Sequence, residues 1–363
     1  MNYKILGAGP AGLCSAITLS KKGLNTTIYE KNGFIGANHN LNIQVMRNYG
    51  SDKNIVEKIE KHGIKMPKLN PIKKIIKYSP SYRCDEIYSE KEPLFYSFKR
   101  GSENDSIESS LANQAQDIGT NIEFNTTKKI ADCHIIASGP RFAPEGIGYG
   151  ATFEGSVDKD TIQFFYGSNL IENGYGYIAP YGKNLFSVSI TSFSKSNFGL
   201  IKKRFEKFLK TDKITKELID GKKKLNEFSG SGFFNIPKTA VHNYKYFVGG
   251  TAGFVDPARG FGVKYAILSG IFAAKSILDK KLDYDKLWQD EFKEELLDGF
   301  NRRVLLDKLK TSDYEKFVEG KKVNIKDYKK VPNAIKEIFL KINGQAQLNK
   351  WQKKFELSEL LEL

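Results

Sequence analysis

The sequence predicts an α/β chain with three parts. A glycine-turned strand–helix–strand unit and a later glycine-rich strand–helix turn build one domain, an antiparallel sheet stands beside it, and a helical region closes the chain. Three observations carry this. Gly7, Gly9 and Gly12 follow a short apolar strand and open a helix. "GGTAGFVDPARGFGVKYA", residues 249–266, sets a second cluster of glycines ahead of another helical pattern. Between them "TIQFFYG", "YGYIAP" and "NLFSVSIT" read as strands separated by turn residues. At 363 residues the chain is longer than one core usually serves, so two joined domains are expected.

The first unit is "YKILGAGPAGLCSAITLSKKGLNTTIYEK". Tyr3 to Leu6 form a buried strand, Ala11 to Lys22 carry apolar residues at helical spacing, and Thr26 to Tyr29 form a second strand ending at Glu30. Gly7 permits the tight turn, Gly9 lets backbone approach a pyrophosphate, and Gly12 lets helix and strand pack closely. The helix N-terminus offers unpaired N–H groups to the phosphates. Glu30 is placed to accept hydrogen bonds from an adenosine ribose. The context of strand, turn, helix and acid-terminated strand makes this a dinucleotide site.

Composition excludes several classes. Charged residues are 27% and the formal charge is +15, but the lysines fall in scattered pairs such as Lys21-Lys22 and Lys73-Lys74. That pattern describes solvated faces rather than a nucleic-acid stripe, and leaves an anionic substrate or a peripheral membrane contact open. Cys14, Cys84 and Cys133 share no CxxC and cannot all pair, which suits a reducing, cytoplasmic compartment. "MNYKILGAG" shows no signal-peptide pattern, and no run reaches the roughly 18 apolar residues of a membrane span. Neither metal-ligand spacing nor a GxSxG elbow occurs, so no metal is expected.

In the second turn, "YKYFVGG" reads as a strand and a helix begins near Gly262. Together the two turns resemble the FAD-dependent oxidoreductases of the para-hydroxybenzoate hydroxylase type, especially the geranylgeranyl reductase-like branch. The matching positions are Gly249, Ala252, Gly253, Asp256, Pro257, Gly260, Gly262, Ala266, Ser269, Gly270, Ala273 and Ala274. The resemblance implies a Rossmann-like FAD domain of the glutathione reductase type 2 class. The first turn would hold the adenine half of FAD, and the second the ribityl chain and isoalloxazine ring. The Asp that the family sets on the ribityl chain falls on Gly250, so that hydrogen bond is missing.

The resemblance extends more loosely to three further segments. "FKRGSENDSIESSLANQAQDIGTNIEF" would put Arg100 near the pyrophosphate, with Leu111 and Ala115 on a buried helix face. "ADCHIIASGP" resembles the strand and turn closing over the cofactor, with Ser138 and Gly139 in the turn and His134 a packed core residue. "NGYGYIAPYG" matches the spacing of a reductase motif above the flavin at Tyr175, Tyr177, Pro180 and Gly182, with Tyr177 and Ala179 replacing its Trp and Phe. The implied cofactor set is Gly7, Gly9, Pro10, Ala11, Gly12, Glu30, Lys31, Arg100, Ser138, Gly139, Gly249, Gly250, Asp256, Gly260, Phe261, Gly262 and Val263. The family's cysteine motif after the acidic strand is absent. His39, Gln44 and Arg47 stand there instead and are candidates for flavin or substrate contact, beside Tyr175, Tyr177 and Pro180.

The expected division is a discontinuous FAD domain over 1–140 and 237–280, with a substrate-side insertion around 45–95. An antiparallel-sheet substrate domain would follow over 141–236, and a helical C-terminal region over 281–363. With no second strand–GxGxxG–helix unit, NAD(P)H or another electron donor would visit only transiently. The leading reading is reduction of carbon–carbon double bonds in a small apolar, isoprenoid-like substrate. An FAD-dependent monooxygenase is the alternative, and a non-catalytic lipid- or partner-binding module on a degenerate flavoprotein fold is the reading from another class. Oligomeric state is not legible in the sequence.

Overall fold

A computed structural model describes residues 2–39, 41–50, 53–167, 171, 173–328 and 345–362. The chain opens as the glycine spacing requires: β1 (Asn2–Leu6), α1 (Pro10–Ser20) and β2 (Asn25–Tyr29). β1 and β2 run parallel with Ile5 opposite Ile28, and on its other side Ile5 lies opposite Ile135 of β9 (Ile135–Ile136). β1 is apolar and buried at its Ile5–Leu6 end, while Asn2 is exposed and Tyr3 and Lys4 are half-buried. β8 (Asn121–Glu123), β15 (Val241–His242) and β16 (Lys245–Phe247) complete a six-stranded sheet in the order β15-β16-β9-β1-β2-β8. Only β15 runs antiparallel to its neighbour. α1 packs against both α3 (Ile107–Asp117) and α6 (Val263–Leu278).

Three strands from the insertion after β2 form a small antiparallel sheet: β3 (Asn42–Arg47), β7 (Phe95–Arg100) and β4 (Asn70–Ile72), with the short helix α2 (Ile55–Glu60) between β3 and β4 in the chain. The large sheet has eight strands in the order β14-β10-β13-β12-β11-β5-β6-β17. These are β14 (Lys223–Gly232), β10 (Gly146–Glu154), β13 (Leu185–Ser192), β12 (Gly174–Pro180), β11 (Thr161–Tyr166), β5 (Lys74–Tyr78), β6 (Cys84–Tyr88) and β17 (Lys322–Asn324). It departs from a purely antiparallel sheet at two pairings, since β5 joins β11 and β17 joins β6 in parallel. The β5–β6 hairpin comes from the 45–95 insertion, so its direction is set by that excursion and not by a turn from β11.

One face of this sheet carries Ile162, Phe164, Tyr175 and Tyr177; the other carries Phe165, Ile178, Val188 and Ile190. α4 (Ile201–Thr211) covers the second face with Ile201, Phe205 and Phe208, and α5 (Lys213–Ile219) follows it. Lys223 and Lys224 start β14.

The C-terminal region holds α7 (Tyr284–Trp288), a π-turn at Gln289–Lys293, α8 (Glu294–Leu306), α9 (Thr311–Phe317) and α10 (Gln345–Lys354). It is helical apart from β17; residues 329–344 of that region lie outside the described residues. The terminal segment docks on the body. Trp351 meets Phe300 edge-on at 4.8 Å, and Phe355 packs on Phe233 and Phe142. Among the described residues no helix is long and apolar enough to cross a membrane.

Candidate functional site

The three glycines after β1 are there for different reasons. Gly7 has φ +102°, and a Cβ on it would lie 2.4 Å from the Ala137 carbonyl oxygen. A Cβ on Gly12 would lie 2.0 Å from the Gly7 oxygen. Both are demanded by close backbone approach. Gly9 is extended, and a Cβ there would meet nothing within 4 Å. Open space therefore lies over the N-terminus of α1, which has no side-chain cap. Pro10 at the first helical position brings no N–H, and the first ladder bond runs from Leu13 N to Gly9 O at 3.0 Å. The N–H groups of Ala11 and Gly12 stand ahead of it, where an anion is favoured.

Glu30 follows β2 directly and stands against this turn. Its Oε2 accepts from Ala8 N at 2.9 Å, and its Oε1 from Asn32 N at 2.9 Å and Asn32 Nδ2 at 2.6 Å. A carboxylate offers about four acceptor positions, so capacity remains for a ribose hydroxyl. Ala8 and Asn32, which aim this carboxylate, were not singled out by the motif. Lys31 is exposed beside them.

The second turn is pressed onto the first. Gly249 has φ +55°, with the Ala11 and Ala266 methyls each 3.1 Å from where its Cβ would be. A Cβ on Gly270 would lie 2.2 Å from the Ala11 oxygen, and Ser15 Oγ donates to the Gly270 oxygen at 2.9 Å. Two glycine turns far apart in sequence thus become one site, because α1 and α6 meet at backbone distance. Gly250 faces the turn after β9, with Pro140 Cδ 3.5 Å and Gly139 Cα 3.7 Å from an ideal Cβ. In that turn Ser138 Oγ accepts from Arg141 Nε at 2.9 Å. Thr251, next in sequence, is fully buried and its hydroxyl has no partner.

The Asp256–Gly262 turn closes on itself, with Gly260 N donating to Asp256 O at 2.7 Å and Asp256 N to Phe261 O at 2.9 Å. Asp256 Oδ1 accepts from Ala258 N at 2.8 Å, and Oδ2 from Arg259 Nη1 at 2.9 Å. Burial pushes this carboxyl up, but Arg259 and Arg47 outweigh it and hold it below the usual carboxylate range. Gly260 has φ +77° with open space over it, and Gly262 leaves the N-terminus of α6 without a side-chain cap.

Beside that N-terminus, Val45, Met46, Arg47, Asp256, Phe261, Val263, Lys264 and Tyr265 line a small cavity. Lys264 is buried and pairs with Glu295 of α8 at 2.6 Å, and Arg47 pairs with the same carboxylate. Burial and Arg47 together push the Lys264 ammonium well down. Arg47 Nε is buried with no partner. The Arg47 guanidinium and the helix N-terminus favour an anionic ligand edge at this cavity, and the Asp256 carboxylate lining it opposes one. Lys264 and Glu295 carry no sequence signal that could have marked them, since each lies in an ordinary helical run.

His39, Gln44 and Arg100 come together elsewhere. Arg100 Nη1 donates to Gln44 Oε1 at 2.6 Å, and its Nε pairs with buried Glu108 of α3. Arg100 first and burial second hold His39 well below its ordinary value, hence neutral, and its Nδ1 has no partner. Arg100 is thus tied to Glu108 and Gln44, while Arg47, on the same strand as Gln44, belongs to the α6 end. Leu111 and Ala115 are fully buried. His134 accepts from Lys4 N at 3.1 Å and packs on Tyr3.

An aromatic wall completes the site. Tyr175 and Tyr177 lie on one face of β12, their rings 5.9 Å apart, with Phe164 5.7 Å from Tyr175. Phe261 of the glycine turn reaches this wall, 6.2 Å from both Tyr177 and Phe95. The Tyr175 hydroxyl donates to the Arg259 carbonyl. Pro180 lies at the end of β12, where its carbonyl accepts from Ser97 Oγ.

A family model described as an NAD(P)-binding Rossmann-like domain matches residues 5–44. An uncharacterised protein of Methanocaldococcus jannaschii is 29% identical over 174 residues, so the match spans 45% of this chain and 43% of that protein. Among solved structures, a geranylgeranyl bacteriochlorophyll reductase-like protein from Thermoplasma acidophilum superposes with TM-score 0.71 at 20% identity, covering 99% of this chain and 98% of that one. A flavin-dependent brominase gives TM-score 0.59 at 16% identity, covering 100% and 98%. A 2-methyl-3-hydroxypyridine-5-carboxylic acid oxygenase gives 0.54 at 13%, covering 87% and 91%. The chain has the fold these proteins share.

Proposed function

We propose that this chain is an FAD-dependent oxidoreductase that reduces carbon–carbon double bonds of an apolar, isoprenoid-like substrate. The observation that carries the reading is the pair of uncapped, glycine-fronted helix N-termini, α1 and α6, held in one arrangement because the first turn of α1 packs through Ala11 on Gly249 and on Gly270 in the middle of α6. One end suits a pyrophosphate and the other the electron-rich edge of a flavin. The residues fit the cofactor: open space lies over Gly9 and Gly260, Glu30 retains acceptor capacity, and the orphaned Arg47 Nε faces the α6 end. Bound there, a flavin supplies hydride transfer. The protein's part is to hold it by backbone N–H groups, keep Asp256 ionised, and exclude water with the Tyr175–Tyr177–Phe164–Phe261 wall. Electrons would come from a nicotinamide or protein donor that visits transiently. The basic helices α4 and α5 lie over the opposite face of the large sheet from this wall, so an anionic surface bound there would not present substrate to it.

Gly250 is where the fit is loosest, and it makes a prediction. Its φ is not in the left-handed region, and its Cβ position has only ordinary contacts at 3.5 Å and beyond. Gly250→Asp is therefore expected to fold normally and to tighten FAD binding about tenfold, as one added charge-assisted hydrogen bond would. Titration of the cofactor-free protein with FAD, followed by flavin fluorescence, measures it; equal or weaker binding would place the ribityl chain elsewhere. The reading itself is tested by the visible spectrum and released cofactor of gently purified protein, then by anaerobic reoxidation of the reduced protein with an alkene. Oxygen uptake coupled to a hydroxylated product would replace reduction by monooxygenation. A colourless protein that FAD cannot reconstitute would remove both.

A further inference from the structure

We propose that Tyr49 is the catalytic acid of this site, donating its hydroxyl proton to the alkene carbon next to the one that receives hydride. The inference rests on the proposed function and deepens it. Reduction of a double bond adds a hydride to one carbon and a proton to the other. The phenol O–H bond breaks, a C–H bond forms, and the tyrosinate left behind is reprotonated from water. The reductant is the reduced flavin of the proposed reaction.

Tyr49 stands where the glycine turn meets the aromatic wall. Its backbone N–H donates to the Leu94 carbonyl at 3.3 Å, and its ring lies edge-on to Phe95 at 5.4 Å, itself in contact with Phe261. Its hydroxyl accepts from Arg259 Nη2 at 3.2 Å, and the same guanidinium is fixed by Asp256. The Arg47 guanidinium lies 5.4 Å from its ring centre. Among the described residues, the other tyrosines of the wall lack such net support. Tyr175 donates to a carbonyl, and burial pushes Tyr175, Tyr177 and Tyr166 up.

The charged groups facing Tyr49 come from four elements: Arg259 on the turn, Arg47 on β3, Lys77 on β5 and Arg302 on α8. Three of these cations have acids of their own, Asp256 for Arg259, Glu295 for Arg47 and Asp298 for Arg302, while Lys77 donates to the Tyr328 hydroxyl and the Tyr166 phenol faces Tyr49 from β11. Burial alone would push the hydroxyl up, but the four cations outweigh it and bring it down to about 8. A donor of that acidity is protonated at neutral pH and releases a stabilised anion, which general acid catalysis near neutrality requires.

Two measurements test this. The first is an ultraviolet titration of tyrosinate in the protein without added cofactor. One tyrosine is expected to ionise near pH 8, and that step to vanish in Tyr49→Phe, which keeps the ring on Phe95. The second uses FAD-loaded, dithionite-reduced protein mixed anaerobically with geranylgeraniol. Flavin reoxidation in the parent protein should fall tenfold per pH unit above about 8, and in Tyr49→Phe it should be slower by about 100-fold at neutral pH and flat with pH. FAD content should be equal in the two proteins. No tyrosine ionising between pH 7 and 9, or a Tyr49→Phe protein that keeps the parent's rate and pH profile, overturns the assignment and leaves the flavin reading intact. A parent protein that binds FAD but passes no electrons to the alkene overturns the proposed reaction, and the donor role with it.

Discussion

Glu108→Ala is expected to destabilise the folded protein by about 3–5 kcal/mol, the usual cost of removing one partner of a buried ion pair. Glu108 is 2% exposed and Arg100 7%. One carboxylate oxygen pairs with Arg100 Nε, and the other accepts from Gly101 N at 3.1 Å. Truncation leaves the guanidinium with Gln44 as a neutral acceptor and with His39, which cannot accept a second positive charge beside it. The same substitution releases the turn between β7 and α3, where Ser106 caps the helix and its hydroxyl donates to the Gly101 carbonyl at 2.6 Å. Urea denaturation measures the loss, and an effect below about 1 kcal/mol would mean the pair is solvated. The double change Arg100→Met with Glu108→Leu should recover most of the stability, because it removes the buried charge together with its partner.

The second large effect divides the first glycine motif. Gly12→Val puts a side chain into a position 2.0 Å from the Gly7 oxygen, with the Ala137 methyl also only 3.3 Å away. Neither neighbour is a flexible chain end, so α1 must move off β1. Overpacking of this kind costs about 1–3 kcal/mol or more, and moving α1 also separates its N-terminus from that of α6. The variant is expected to lose thermal stability and FAD binding together. Gly9→Ala is its counterpart. With nothing within 4 Å of the new methyl, the fold should keep its melting temperature while FAD affinity falls, since the methyl occupies the space over the helix N-terminus. If both variants melt like the parent, the close contact at Gly12 is not rigid. If Gly9→Ala binds FAD unchanged, the pyrophosphate does not lie over this turn.

These two substitutions also mark how far the residues are legible one segment at a time. That Gly7, Gly9 and Gly12 turn a strand into a helix is readable, because backbone freedom and helical periodicity are local properties. That Gly9 is open while Gly12 is clamped is not, because the clamp is made by Gly7 and Ala137, and Ala137 arrives from a strand more than a hundred residues on. Glu30 was legible as an acid at a strand end, but its orientation by Ala8 and Asn32 was not. Arg100 was legible as an arginine ahead of a helix. Its partner Glu108 looked like any first-turn acid, and burial made it the counter-ion.

The sheets divide in the same way. β11, β12 and β13 could be read from alternation and turn residues, and their antiparallel pairing follows from short connections. The entry of β5 and β6 beside β11, and of β17 beside β6, could not. A strand's neighbour is chosen by where the chain returns in space, and no pattern within five residues records it.

From its residues alone, then, this chain was committed to a glycine-turned strand–helix–strand unit, a second glycine-fronted helix, an aromatic strand and a terminal helical region. Each of these depends on the chemistry of neighbours a few positions apart. The tertiary structure decided that α1 and α6 touch through Gly270 and Ala11, so that two turns make one site. It also decided that Arg47, Arg259, Lys264, Asp256 and Glu295 share a buried corner at the N-terminus of α6, with Tyr49 leaning on it. Charges from β3, a turn and two helices acquire a common purpose only when packing strips the water between them, and that desolvation exists in the folded chain alone.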